Sequence, residues 1–501
     1  MHEMKTVGLK HYGSFLPFLP LLSLLLLLLL LRLRQHTHRR RLPPSPPGLP
    51  IIGHLHLLST LPHQSLHRLS SRLGPLFSLR LGSVPCIVAC SASSARDFLA
   101  THDAAFSNRP HTKAVSILTY GSSNFSFAPY GDLWRFTKRL YQSELFGGST
   151  LRRFHPIRRD ELRRLLRLIL LNARVAAAVD VGAEVNKMTN NLITRMAVGR
   201  RCTEADDAVG LVMETTELLG RFNLGDYLLF CKDLDLHGYD KRLRDLHKRF
   251  DGLVEGIMME KEEKRKEEEE VKEKDLLDML MDIHEDEGAE LKLTRENVKA
   301  FIRDIFTGGT DNTSLTVQWA LAELLNHPAA MAKAVAELDR VVGSDRLVDE
   351  SDVPELPYLR AVVCEALRLH PPTPLIPRES SAECAVGGFR IPAGTRLFVN
   401  AWAIGRDPEE WARPLEFEPE RFMGEAKVKG IGWVPFGGGR RGCPGSTAAL
   451  QVVHAVLAGM LQCFEWRPEG GEEVDMGESP GLTLRRAAPL VCRVTERVDF
   501  L

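Results

Sequence analysis

The chain has 501 residues with 65 basic against 65 acidic side chains, and its zero formal net charge removes any bulk electrostatic case for nucleic-acid binding. Nine cysteines, an odd number without a CxxC pair, read as reduced thiols rather than a disulfide framework, which sets the body of the protein in the cytosol. No internal linker divides the chain, so one catalytic domain over residues 51–501 is expected behind two N-terminal segments.

Residues 1–31 form the first of these, a membrane anchor. Phe15 to Leu31 is uncharged and leucine-dominated, long enough for roughly 26 Å of helix. Arg32, Arg34, Arg39, Arg40 and Arg41 follow at once and outweigh Lys5 and Lys10, so the positive-inside rule puts the C-terminal flank in the cytosol. A cleaved signal peptide would want a shorter apolar core and small residues at its end, where arginines stand instead. Residues 32–50 are a basic and proline-rich hinge, and Pro43 to Pro50 predicts a stiff, extended spacer.

From Gly74 to Ala89, Phe77, Leu79 and Leu81 alternate with Ser78, Arg80 and Gly82, which predicts strands of a small sheet. Trp134 to Leu145 reads as a helix with Trp134 and Lys138 on one face. The mixed charges of 260–274 are a solvated helix end and loop. Thr294 then caps a long helix that His327-Pro328 stops, with Val298, Phe301, Ile302 and Ile305 at helical spacing. At its centre, Gly308 and Gly309 each cost roughly 1 kcal/mol against alanine. Close approach of a flat ligand, with local opening of the hydrogen-bond ladder, would account for them. The acid Asp311 beside a hydroxyl could relay protons through water.

Glu365 and Arg368 stand at i and i+3, where a salt bridge forms on one helix. Thr373-Pro374-Leu375-Ile376 is an apolar stretch, and Phe389 to Asn400 has the turn and alternation of a hairpin. Last comes Phe436-Gly-Gly-Gly439-Arg440-Arg441-Gly442-Cys443-Pro444-Gly445. A thiolate bound to a haem iron needs a tight glycine turn, amide donors and a cation for a haem carboxylate, and this decapeptide offers all three.

The pattern Phe436-x-x-Gly439-x-Arg441-x-Cys443-x-Gly445 resembles the haem-binding loop of the cytochrome P-450 superfamily, the haem-thiolate monooxygenases. Gly308 to Thr313 resembles the family's oxygen-activation motif, Ala/Gly-Gly-x-Asp/Glu-Thr-Thr/Ser, and the motifs keep the family's order along the chain. The resemblance implies a mainly α fold with small β-sheets, and haem b (iron protoporphyrin IX) with the Cys443 thiolate as axial and metal ligand. It implies propionate partners at Trp134, Lys138 and Arg378. Glu365, Arg368 and Arg421, the last in Pro419-Glu-Arg-Phe422, would form a buried triad that stabilises the haem-binding core. Thr373, Leu375 and Ile376 would line the chamber of a small apolar substrate.

Electrons would come from NADPH through a flavoprotein reductase docking near Arg440 and the helix of Trp134 to Arg139, with the chain anchored in the endoplasmic reticulum membrane. One position departs from the pattern: Asn312 stands where the family's threonine is usual, with Thr313 one step, about 100°, around the helix. Either Asn312 or Thr313 would then organise the water beside Asp311, or the chain would run a haem-thiolate reaction that depends less on proton delivery. Gly220 to Tyr227, including Phe222 as a substrate contact, and Phe230 to Gly238 resemble plant flavonoid-modifying members such as flavone synthase II, flavanone 2-hydroxylase and isoflavone synthase. Pro392 to Asp407 resembles the pterocarpan group as much. A flavanone is the expected substrate. The alternatives are a pterocarpan or triterpenoid hydroxylase, or a haem-binding scaffold without turnover, for which Asn312 is the only support.

Overall fold

A computed structural model describes residues 42–202, 206–232, 234–235, 238–267, 274–424, 432–471 and 473–498. The expected anchor and the hinge up to residue 41 lie outside the described residues. The helices that build and brace the site are α1 Pro62–Leu73, α2 Asp132–Leu140, α3 His155–Arg174, α4 Val181–Val198, α5 Ala208–Gly220, α6 Tyr239–Glu267, α7 Leu276–Glu285, α8 Arg295–Asn326, α9 Pro328–Val341, α10 Pro357–Leu369 and α11 Ser446–Cys463. The strands are β1 Leu76–Leu81, β2 Val84–Ala89, β3 Val179–Asp180, β4 Leu375–Glu379, β5 Cys384–Val386, β6 Phe389–Ile391, β7 Arg396–Asn400, β8 Phe464–Pro468, β9 Glu478–Ser479, β10 Arg485–Arg486 and β11 Val491–Glu496.

The helix α8 is the axis of the molecule. Thr294 caps it reciprocally with Asn297, and its middle is walled by α4, α5, α10 and α11. All four flanking helices turn an apolar face to it, so residues such as Phe301, Phe306, Val317, Trp319 and Leu321 are fully buried. Trp319 stacks flat on His370 at 4.0 Å between ring centroids, and His370 Nε2 bonds Glu323 at 2.6 Å, which ties α8 to the end of α10. Among the described residues one helix, α11, is long and apolar enough to cross a membrane, but it is mostly buried in the core, where Gly459 lets Leu162 and Leu166 of α3 pack against it.

The main sheet has the order β1-β2-β7-β4, with β2 and β7 parallel and the other pairs antiparallel. The predicted hairpin over Phe389 to Asn400 is not formed. β6 pairs with β5, whereas β7 pairs with β2 and β4, because long-range partners with matching apolar faces compete successfully with the neighbouring strand. The described part of the expected hinge lies against β1, where the Ser78 amide donates to the Pro44 carbonyl at 2.7 Å and the Ser78 hydroxyl to the Pro43 carbonyl at 2.8 Å.

Glu478 on β9 fastens the C-terminal strands to α1, accepting hydrogen bonds from His63 Nε2 at 2.7 Å, Gln64 Nε2 at 2.8 Å and Trp402 Nε1 at 2.7 Å. Burial alone would raise its pKa, but these donors, with the charge of His63, hold it at about 2 instead of 4.5. A carboxyl depressed on folding contributes stability that is full above its ordinary range and lost as pH falls toward the folded value. Glu478→Gln is therefore expected to lower the melting temperature near neutral pH and to lose that deficit between about pH 4.5 and pH 2, in melting curves recorded as a pH series.

Candidate active site

The decapeptide around Cys443 owes its shape to its glycines. Gly437 and Gly439 have φ of +69° and +64°, and a Cβ on Gly439 would lie 2.3 Å from the Leu99 carbonyl and 2.4 Å from Asp103, so only glycine fits there. The loop closes through Cys443 N donating to the Phe436 carbonyl at 3.0 Å. Cys443 lies deep in the molecule, yet its side chain is exposed, because the surface it shows is the wall of an internal cavity. Phe436, Arg441 and Gly445 line the same wall. Burial pushes the thiol pKa up, against the Gly445 amide, so the thiolate needs a cation opposite it.

The cavity measures about 360 Å³ and is bounded on its far side by Thr307, Gly308, Gly309, Asn312 and Thr313 of α8. The two glycines have separate reasons. A Cβ on Gly308 would meet nothing and would project into open space, whereas one on Gly309 would strike Ile193 of α4 at 2.6 Å. The expected opening of the ladder does not occur: α8 runs unbroken through the motif. Asn312 Nδ2 donates to the Gly308 carbonyl at 3.2 Å, as a threonine hydroxyl could, and its Oδ1 is buried without a partner. Asp311 does not line this cavity and points to the other side of the helix.

At one end the cavity meets three arginines, Arg378 and Arg441 buried and Arg109 half-buried. Arg441 donates to the carbonyls of Ser107 at 2.6 Å, Phe125 at 3.1 Å and Ala128, and its guanidinium lies 4.7 Å from the Trp134 ring centre. Arg109 donates to the Pro377 carbonyl at 2.6 Å, and Arg378, fully buried, reaches only the Gly438 and Pro377 carbonyls at 3.4 Å. Burial first, and then one another's charge, lowers the pKa of Arg378 well below normal and that of Arg441 to about 9; burial brings Arg109 to about 10, against the pull of Asp304. Nε of Arg109, Nε of Arg378 and Nε1 of Trp134 have no acceptor. Such a cluster calls for anions, and a flat ligand carrying two carboxylates opposite a thiolate fits it.

Lys138 is not part of this cluster, since its ammonium turns to the Arg440 carbonyl beside the Trp134 ring. Arg109, which the sequence did not single out, joins Arg378 and Arg441 instead. The cationic surface expected around Arg440 is largely neutralised: Arg440 pairs with Asp103 at 2.8 Å, Arg139 with Glu290 at 2.7 Å and Arg135 with Asp132.

Glu365, Arg368 and Arg421 do come together. Glu365 takes both Nε and Nη2 of Arg368 at 2.7 Å and Nε of Arg421 at 2.9 Å, and all three residues are buried. The remaining donors clamp the carbonyls of Pro414 and Glu416 from Arg368 and of Ala412 from Arg421, so the segment leading to the thiol loop is held to α10.

Of the four residues expected to touch substrate, Thr373 and Ile376 line the cavity. Leu375 does not, because alternation along β4 turns it to the opposite face, against the cluster of Phe77 and Leu79. Phe222 is also misplaced: it is 50% exposed beyond the end of α5, stacked on Tyr227 at 4.9 Å. Leu219, Ile305, Leu482 and Thr483 take these places in the wall, and only the folded chain brings them together.

A thiol loop and a glycine-notched helix facing each other across a pocket edged with unneutralised arginines define a haem-thiolate enzyme. The sequence profile described as Cytochrome P450 matches residues 43–493, and the chain belongs to that family. It is 48% identical over 483 residues to Cytochrome P450 93A3 of Glycine max, covering 93% of this chain and 95% of that one. It is 46% identical over 479 residues to the 3,9-dihydroxypterocarpan 6A-monooxygenase of Glycine max, covering 92% and 94%. Among solved structures, "Zebra fish cytochrome P450 another structure with Progesterone" superposes with a TM-score of 0.76 at 28% identity, over 87% of this chain and 99% of that one. The protein is thus a cytochrome P450 monooxygenase with a haem-thiolate cofactor and electrons drawn from NADPH through a redox partner, which displaces the non-catalytic scaffold.

Proposed function

We propose that the chain oxidises a plant secondary metabolite of the flavonoid type, a flavanone, by 2-hydroxylation or conversion to the flavone, with Cys443 as the iron ligand. The observation that carries this reading is the cavity itself. Its wall is mainly apolar and offers a few polar groups, among them Thr216, Thr373 and Asn312, which suits a small ring system with phenolic groups. The haem, when bound, supplies the activation of dioxygen. Arg109, Arg378 and Arg441 would hold its carboxylates, Gly308 leaves open space on the cavity side of α8, and Asn312 Oδ1 would offer a free acceptor to water there. The expected anchor and orientation would place this domain on the cytosolic face of the endoplasmic reticulum.

Oxidation of a pterocarpan is the second reading, favoured by the similarity to the 3,9-dihydroxypterocarpan 6A-monooxygenase of soybean. Microsomes containing the chain, supplied with a reductase and NADPH, are expected to convert a member of a flavanone panel to a product heavier by one oxygen or lighter by two hydrogens. Turnover of a pterocarpan with every flavanone untouched replaces the first reading by the second.

A further inference from the structure

The carboxylate of Asp311 faces a second recess, about 1090 Å³, on the other side of α8 from Cys443 and shared with Asn186, Gln318 and Arg485. Its Oδ2 accepts from Thr483 Oγ1 at 2.8 Å and from Arg485 Nη2 at 3.0 Å, while Oδ1 is buried without a partner. Asn186 Oδ1, on the recess wall, is a second buried acceptor in that condition. Acceptors of this kind are met by ordered water where there is room for it, and here there is. Thr483 itself lines the first cavity. One hydroxyl therefore joins the acid on the recess side to the pocket of Cys443.

The loop that carries this hydroxyl is firmly placed. Gly220 at the end of α5 lets it pass so closely that a Cβ there would stand 1.9 Å from Leu482 N. Leu484 N donates to the Pro372 carbonyl at 2.9 Å, Trp319 Nε1 donates to the Leu484 carbonyl at 2.8 Å, and Arg485 reaches Thr216 Oγ1 at 2.5 Å. Asn312, at the position where a hydroxyl would be usual, cannot accept and release a proton in the same motion, since its donor is an amide nitrogen. Thr313 lines the cavity but makes no side-chain hydrogen bond to Asp311.

We infer that Thr483, on the C-terminal loop rather than on α8, supplies the hydroxyl relay that carries protons from Asp311 into the cavity. A proton delivered to the Asp311 carboxylate from water in the recess passes to Thr483 Oγ1 once that hydroxyl, which in the structure donates to Asp311 Oδ2, has turned to donate its own proton to water in the cavity. The net event moves one proton from recess to cavity and needs no further reactant. The inference rests on the monooxygenase reading, in which oxygen activation consumes protons at that place.

Thr483→Val removes the hydroxyl at nearly constant volume, and Thr483→Ser restores it. With reductase, NADPH and a turned-over substrate, Thr483→Val is expected to cut product per NADPH by about tenfold or more, to raise peroxide correspondingly and to change the solvent deuterium isotope effect. Thr483→Ser recovers coupling, and Asn312→Ala and Thr313→Ala shift it less. Substrate affinity, read from the spectral shift on binding, stays close to wild type. An independent readout is the infrared carboxyl band of Asp311, assigned by its loss in Asp311→Asn, which moves when Thr483 becomes valine. Should the valine variant fail to fold, Thr483→Ala is measured in the same way.

Unchanged coupling in the variant that lacks the hydroxyl overturns the inference. So does weaker binding without added peroxide, which makes Thr483 a wall residue only. In both cases product from the wild type leaves the proposed function standing. Absence of product from wild type, with the thiolate spectrum intact, counts against that function instead, and the infrared band still decides the Asp311–Thr483 contact.

Discussion

Replacement of Cys443 by serine is expected to abolish the red-shifted carbon monoxide band of the reduced protein and all product formation. Cys443 is the one cysteine whose side chain opens on the cavity; the others are buried in the core or, like Cys384, stand in strands remote from it. The red shift comes from thiolate donation to iron, which a serine hydroxyl does not reproduce. The rest of the pocket is untouched by the change, since the Cys443 amide still bonds the Phe436 carbonyl and the three arginines keep their places. Haem content should therefore fall less than the band does. A normal thiolate spectrum in purified Cys443→Ser removes this cysteine from the site.

Glu365→Ala is expected to be the most destabilising single change outside the pocket. It leaves buried Arg368 with no carboxylate and Arg421 with only the half-buried Glu418 at 3.0 Å, and removing one partner from a buried charge network costs about 3–5 kcal/mol. That is a large share of the roughly 5–15 kcal/mol by which a domain is stable. The Glu418 amide also loses its acceptor, so the 405–421 segment is freed at both its arginine clamps and its backbone tie. Haem per polypeptide in soluble extracts, and urea unfolding of whatever folds, measure the loss. A shift under about 1 kcal/mol would mean that water replaces the carboxylate and that the network is peripheral.

What the amino-acid sequence revealed was what neighbouring residues decide among themselves. The Thr294 cap, the strands at 76–81 and 84–89 and the glycine turn before Cys443 depend on a few consecutive side chains, and each formed within its expected span. Failures lay where the deciding partner is distant. The pairing of β7 is settled by β2, more than 300 positions away, so a local alternation could not place it. Arg109 acquires its meaning only beside Arg378 and Arg441, and no pattern around it announces a carboxylate site. Phe222 and Leu375 have the right composition for a substrate wall, but the end of α5 and the pleat of β4 turn them elsewhere. The direction in which Asp311 faces is a question of helix rotation, fixed by the packing of α4 and the C-terminal loop.

The stack of Trp319 on His370, with Glu323 beneath it, separates two kinds of residue in this protein. Glu323, Trp319 and His370, together with Glu365, Arg368 and Arg421, form a frame in which each member is bound to another, so that a single replacement leaves something buried and unmatched. Leu219, Ile305, Ile376 and Leu482 touch the cavity through apolar side chains and bear none of that network's hydrogen bonds. The lineage can therefore explore new substrates one residue at a time along the lining, while inheritance of the frame stays all or nothing.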